Sequence, residues 1–119
     1  MGNYRTLIAW QKAMDLVDLV YVAVRRFPQS EVYELSQQMR SAASSIPSLL
    51  AEGRGRHTIP DQQHFYREAR GSTLELQTQI EMAIRQHFIE GEEGARLTEL
   101  ANEVGRLING LLRSLRPKA

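Results

Sequence analysis

Residues 44–56, Ser-Ser-Ile-Pro-Ser-Leu-Leu-Ala-Glu-Gly-Arg-Gly-Arg, place a proline inside a stretch whose apolar spacing is otherwise that of a long helix. Pro47 has no N–H to donate, so the Ala43 carbonyl loses its helical partner at a cost of about 3 kcal/mol. The segment is therefore a tolerated kink or a functional break. We favour the kink, because kinks in helices usually have packing causes. Three serines around Pro47 can donate to nearby carbonyls, and Ser45 could instead cap a restarted helix.

Four separate stretches show apolar residues at helical spacing, and no alternating strand pattern competes with them. The stripes are Trp10, Ala13, Val17, Val20, Val24 and Phe27; Leu35, Met39, Ala42, Ile46, Leu49 or Leu50, and Gly53; Phe65, Ala69, Ser72, Leu76, Ile80 and Ala83; and Leu97, Leu100, Val104, Leu107, Leu111 and Leu115. Similar lengths and short turns predict an all-α, up-down-up-down antiparallel four-helix bundle with its second helix kinked near Pro47.

Helix boundaries follow from local signals. Pro28 ends the first helix and Pro117 the fourth. Ser30 is the expected cap of the second helix, and Thr58 of the third. Gly91 and Gly94 are typical of the last turn.

Composition limits the function classes. The 119 residues suit one domain over 1–119, and 42% apolar with 24% charged residues are typical of a globular chain. The lack of cysteine excludes disulfides and thiolate metal sites. No apolar run approaches the roughly 18 residues of a membrane span, and no signal pattern begins the chain, so we expect a cytoplasmic protein without a membrane partner.

The first helix carries apolar residues round most of its circumference. Beyond the core stripe it has Leu7, Ile8, Met14, Leu16, Leu19, Tyr21 and Val22. A helix that is apolar on nearly all sides is normally buried on more than one side. The pattern therefore predicts a homo-oligomer.

Several strings together resemble the bacterial family of 23S rRNA intervening-sequence proteins. They are Leu7-Ile8-Ala9-Trp10-Gln11-Lys12-Ala13, Gln38-Met39-Arg40-Ser41-Ala42-Ala43, Ser45-Ile46-Pro47, Ala51-Glu52-Gly53, Ala69-Arg70-Gly71-Ser72 and Glu75-Leu76. The resemblance implies a bundle that assembles as a homopentamer. Accessory proteins of diversity-generating retroelements, which work with a reverse transcriptase and bind nucleic acid, form a similar group. The family pattern has asparagine and isoleucine where this chain has Leu49 and Leu50, so a contact made by that asparagine is lost here.

A second group of residues has predicted packing roles rather than chemical ones. Pairing across the turn near residue 58 places Arg40 and Glu75 at similar depth, where an ion pair would fix the helix register. The small Gly71 and Ser72 would permit close helix approach. The residues with predicted structural roles are Trp10, Arg40, Pro47, Glu52, Gly53, Gly71, Ser72 and Glu75.

Catalytic and metal-binding patterns find no support. A di-metal bundle needs two Glu-x-x-His motifs, and the chain offers only Asp61-Gln62-Gln63-His64. No nucleophile, base and orienting group can be assigned together. We therefore predict a protein that is not an enzyme and has no cofactor.

Of the 15 basic residues, 13 are arginine. Their positions in the predicted bundle give the strongest functional signal in the sequence. In the predicted topology the start of helices one and three shares one end with the close of helices two and four. That end collects Arg5, Lys12, Arg54, Arg56, Arg67, Arg113, Arg116 and Lys118, with His57 and His64, against mainly Glu52, Asp61 and Glu68. The opposite end holds Glu31, Glu34, Glu90, Glu92, Glu93 and Glu99 against Arg25, Arg26, Arg85 and Arg96.

Two hypotheses follow from this bipolar pattern. In the first, the basic end binds the RNA or DNA backbone without sequence preference, as an accessory to nucleic-acid processing. In the second, the protein is an interaction scaffold, and the basic residues only offset helix dipoles.

Overall fold

The computed structural model describes residues 2–31 and 34–116. Within them the chain forms four helices, α1 Ile8–Val24, α2 Leu35–Arg54, α3 Ile59–Arg85 and α4 Gly91–Ser114. Short 3-10 turns at Tyr4–Thr6 and Gln29–Glu31 precede α1 and α2. No strand occurs in the described ranges, which confirms the predicted all-α class.

The helices form an antiparallel bundle in which α1 packs on α2 and α4, and α3 packs on α2 and α4. Its extents are 49 × 23 × 20 Å. Two contacts between helix ends fix the directions of the helices. Arg26, just beyond α1, pairs with Glu93 in the first turn of α4, and Gln63 of α3 donates to the Leu115 carbonyl beyond α4 at 3.4 Å. The up-down-up-down arrangement is therefore confirmed.

The core is built largely from the predicted stripes, although Leu16, Tyr66 and Ile108 are fully buried and lay outside them. Its largest fully buried side chains include Leu16, Val20, Met39, Ile46, Leu50, Tyr66, Leu76, Ile80, Leu97, Val104 and Ile108. Each helix contributes to this single cluster. Because burial of one such side chain stabilises the fold by about 1.5–3 kcal/mol, the stripes determine how the helices face one another.

Local signals located some helix ends and missed others. The Thr58 hydroxyl accepts a hydrogen bond from the Asp61 amide at 3.3 Å and caps α3, as predicted. Ser30 does not cap α2, because it lies in a 3-10 turn and α2 begins only at Leu35. Gly94 lies inside α4, where a Cβ would come within 3.2 Å of Ile84.

Helix α2 runs without interruption through Pro47, so of the two alternatives the functional break does not occur. The Ser45 hydroxyl does not cap a restarted helix. Instead, it donates to the Ser41 carbonyl at 2.8 Å, and Ser48 donates to the Ser44 carbonyl at 2.9 Å. The proline ring is buried. A kink at this position stays a prediction.

In residues 2–31 and 34–116, none of the helices combines the length and apolar character that crossing a bilayer requires.

Candidate nucleic-acid interface

One end of the bundle holds most of the basic residues that the sequence assigned to it. Gly2 lies against the Arg54 guanidinium, and Gly53 lies against Phe65 and Tyr66 near the start of α3. The Gln63 contact brings the end of α4 to the same place. We call this end the basic pole, and its members are Arg5, Arg54, Arg56, Arg67, Arg113 and Arg116. Lys118 lies outside the described residues.

Four members of the basic pole have exposed side chains and no carboxylate partner among the residues that the structure describes. Arg5, Arg67, Arg113 and Arg116 are exposed. In the described part of the chain, no carboxylate oxygen lies within 4.0 Å of their guanidinium groups. Arg5 lies over the Tyr4 ring, 4.9 Å from its centroid. Unpartnered guanidinium groups can form bidentate hydrogen bonds with phosphate.

Arg56 is already engaged by its neighbours. Its guanidinium lies 3.2 Å from a Glu52 carboxylate oxygen and 4.5 Å from the centroid of the Phe65 ring. Its carbonyl accepts from Gln62 Nε2 at 3.0 Å. This arrangement gives Glu52 a structural role at the α2–α3 turn, and it leaves Arg56 less available than the four unpartnered arginines.

Arg54 is half-buried and faces the protein rather than solvent. Its Nε atom is buried and has no hydrogen-bond partner among the described residues. The guanidinium touches Gly2 on one side and lies near the Tyr66 side chain on the other. The sequence assigned Arg54 to nucleic acid, but the geometry makes it a link between α2, α3 and the N-terminal segment.

The buried environment changes the pKa of Tyr66. Burial raises the pKa of its hydroxyl above the ordinary value of 10.0, and the nearby Arg54 charge and hydrogen bond oppose that increase more weakly. The neutral phenol is therefore favoured in the folded protein.

We expect the free energy of unfolding to fall as pH rises above about 10. The folded state holds the Tyr66 proton more tightly than the unfolded state does. The stability that this difference contributes is fully present below pH 10.0, and it is lost as pH rises from there through the raised pKa of the folded state. Urea denaturation between about pH 8 and pH 11 measures the loss. The Tyr66→Phe variant should lose less stability over this interval, and an identical decline in both proteins would contradict the prediction.

Lys12 lies one turn into α1 and away from the end face. Its Nζ atom is 4.0 Å from the Glu103 carboxylate of α4. Lys12 therefore faces the α1–α4 seam, and it contributes less to the basic pole than the sequence suggested.

The predicted ion pair between Arg40 and Glu75 is absent. Gln38 of α2 lines a cavity with Met82 of α3. Arg40 follows Gln38 by two residues, about 200° further round the helix, so it lies on the side of α2 away from α3. Glu75 instead accepts a hydrogen bond from Gln79 Nε2 at 3.5 Å.

Close helix approach occurs at Gly53 rather than at Gly71. A Cβ on Gly53 would lie 2.8 Å from Tyr66 Cε1, whereas a Cβ on Gly71 would meet nothing within 4 Å. Gly71 is exposed and Ser72 only half-buried, so the predicted approach at that pair is wrong. Trp10 packs partly into the core and edge-on to Tyr4, with ring centroids 5.2 Å apart.

A polar groove between α3 and α4 was not predicted from the sequence. It encloses about 510 Å³, and its lining residues are Arg70, Thr73, Leu74, Gln77, Asn102, Gly105, Arg106 and Asn109. None of these is acidic. The sequence does contain a signal, because the polar residues at 102, 106, 109 and 113 follow a 4-3-4 spacing and share one face of α4.

The opposite end carries acidic residues with some basic partners. Glu93 pairs with Arg26, and its carboxylate raises the Arg26 pKa through a hydrogen bond and charge attraction. In the ranges that the structure describes, no three His, Asp or Glu side chains form a group able to hold a metal ion.

These features define an all-α four-helix bundle with a basic end and a polar lateral groove. The model of the family "23S rRNA-intervening sequence protein" matches residues 5–110, and the chain belongs to that family. The fold is similar to that of a protein of unknown function from the S23 ribosomal protein family of Bacteroides thetaiotaomicron VPI-5482. The TM-score is 0.83 at 15% identity, and the match covers 89% of this chain and 99% of the other. No curated protein matches the chain.

Proposed function

We propose that this protein is a non-enzymatic, oligomeric bundle that binds the nucleic-acid backbone through its basic pole, as a cytoplasmic accessory protein. The observation that carries the proposal is the set of exposed, unpartnered arginines at one end of the bundle, Arg5, Arg67, Arg113 and Arg116. Sequence-independent contact with phosphates is the chemistry that such groups favour.

Helix dipoles explain only part of this set. Arg113 lies in the last turn of α4, where a cation stabilises the helix end without any ligand. Arg5 precedes α1, and Arg67 lies in the second or third turn of α3, so neither offsets a helix C-terminus. Their position supports a role in binding.

Assembly into an oligomer would strengthen the attraction of the basic pole for nucleic acid. The resemblance to the pentameric family favours a ring of parallel subunits, which would gather several basic poles on one face. Because the potential of a surface rises with charge density, such a face would attract polyanions more strongly than one subunit does. The family's name refers to an intervening sequence of 23S rRNA.

A protein-interaction scaffold is the second candidate. It is favoured by the large apolar side chains that α1 exposes, Ile8 at 54% and Val22 at 43%. In that case a partner protein covers α1, and the basic pole has no ligand.

We expect the wild-type protein to bind a generic RNA or DNA in low salt and to lose affinity steeply as salt rises. Charge reversal by Arg113→Glu with Arg116→Glu should weaken binding about 100-fold and reduce the slope of log affinity against log salt. Fluorescence anisotropy at several salt concentrations measures both. Arg25→Glu with Arg96→Glu, at the acidic end, is the matched control. No binding by the wild type even in low salt would sink the proposal.

A further inference from the structure

We propose that the groove between α3 and α4 binds a single-stranded segment of nucleic acid, with phosphates on its arginines and base edges on its amides. The inference rests on the proposed function and assigns it a site. The basic pole would then be the entrance to a lateral groove, rather than the whole binding surface.

The charges of the groove suit a polyanion. Arg70 and Arg106 line it from opposite helices, and both side chains are exposed. Arg106 has one carboxylate near it, Glu99 at 3.6 Å, and both side chains of that pair are mostly exposed. A phosphate can replace such a partner at little cost, because exposed ion pairs are weak.

The groove is continuous with the basic pole. On α4, Arg113 follows Arg106 by seven residues, or about two turns, and so lies on the same face. On α3, Arg67 precedes Arg70 by three residues and lies nearer the pole. Arg67 and Arg113 therefore continue the line of Arg70 and Arg106 toward the end of the bundle. A point-like anion does not need such a line, whereas a strand with repeated phosphates does.

The amide side chains of the groove offer hydrogen-bonding groups for bases rather than for phosphates. Gln77 Nε2 donates to Asn102 Oδ1 at 2.8 Å, which holds the two side chains in place across the groove. Gln77 Oε1 and the Asn102 amide hydrogens are not used in this bond. Such a mixture of acceptors and donors matches the edges of unpaired bases.

The shape of the groove favours a single strand over a duplex. A Cβ on Gly105 would lie 3.8 Å from Gln77 Nε2 and from Thr73 Cγ2, so the absence of a side chain there opens the floor. The amides lie in this recess between two helices. In a duplex the bases are paired and stacked in the interior of the double helix, whereas a single strand can turn its bases toward the floor of the groove.

The sharpest test fills the groove without changing its charge. Gly105→Phe should weaken binding of a fluorescein-labelled oligouridine or oligothymidine of about 15 nucleotides by at least tenfold. The matched control is Gly71→Phe, since Gly71 is an exposed helical glycine outside the groove. Arg70→Ala with Arg106→Ala provides a second variant, and circular dichroism checks that each variant is folded.

The outcomes separate the two proposals. Loss of single-strand binding in the groove variants but not in Gly71→Phe supports the groove. If both groove variants bind with wild-type affinity and only the Arg113 and Arg116 variant loses binding, the groove proposal is overturned. The basic pole then remains as the binding site. Tighter binding of a duplex of equal length also overturns it. If Gly105→Phe instead splits an oligomer in light scattering, a second copy occupies the groove. Absence of wild-type binding defeats the proposed function itself.

Discussion

Replacing Gly53 with valine should lower the free energy of unfolding by about 3 kcal/mol. The first added atom would lie 2.8 Å from Tyr66 Cε1 and 3.0 Å from Phe65 Cβ. The Tyr66 ring is fully buried and cannot swing into solvent. The Phe65 Cβ follows its own backbone, so relief requires α2 and α3 to separate. Separation would also disturb the Arg54 contact with Tyr66.

Gly71→Ala is the matched control, and it should change stability in the opposite direction. Gly71 is an exposed glycine inside α3, and a Cβ there would meet nothing within 4 Å. Alanine removes the conformational entropy that glycine loses in a helix, so we expect a gain of about 0.5–1 kcal/mol. Urea denaturation compares the three proteins. A Gly53→Val variant as stable as the wild type would show that α2 and α3 do not approach as closely as described.

The helices were predictable because their information is local and repeated. Stripe residues such as Ile80, Leu97 and Val104 predicted both the helices and their buried faces, and burial of these faces dominates the energy of the bundle. The Thr58 cap was predictable for the same reason, since its partner Asp61 is only three residues away.

Contacts between helices were harder to predict. Equal depth from the turn placed Arg40 beside Glu75, but depth does not specify rotation about the helix axis. The rotation of α2 is set by its buried residues, among them Met39 and Ala43. These turn Gln38 toward α3 and Arg40 away from it. Gly71 was misassigned in the same way, because a small residue indicates close packing only on a face that meets another helix.

The candidate site shows the same limit. The sequence placed the arginines at one end of the bundle, since that needs only the order and direction of the helices. It did not predict that Arg54 would be half-buried against Gly2 and Tyr66, or that Arg70 and Arg106 would line one groove from opposite helices. Both results depend on which side of each helix faces its neighbour.

Self-association should depend on one face of α1. Trp10, Met14, Val17 and Tyr21 follow a 4-3-4 spacing and share a face beside the core stripe. Met14 and Tyr21 are each 39% exposed although both are large and apolar. Trp10 and Val17 are only partly covered by the core. A row of this kind is typical of a helix that packs against another protein surface.

We therefore expect light scattering of the wild-type protein to give a multiple of the 13.6 kDa chain mass, and five copies if the family resemblance holds. Met14→Glu with Tyr21→Glu should reduce that mass to a single chain, because an interface buries unpaired carboxylates only at a cost of several kcal/mol each. Ile59→Glu replaces an apolar residue that is 52% exposed but lies outside α1, and it should leave the assembly intact. A wild-type protein that scatters as one chain would show that α1 is covered by something other than a second copy. Dissociation by Ile59→Glu alone would move the interface to the basic pole.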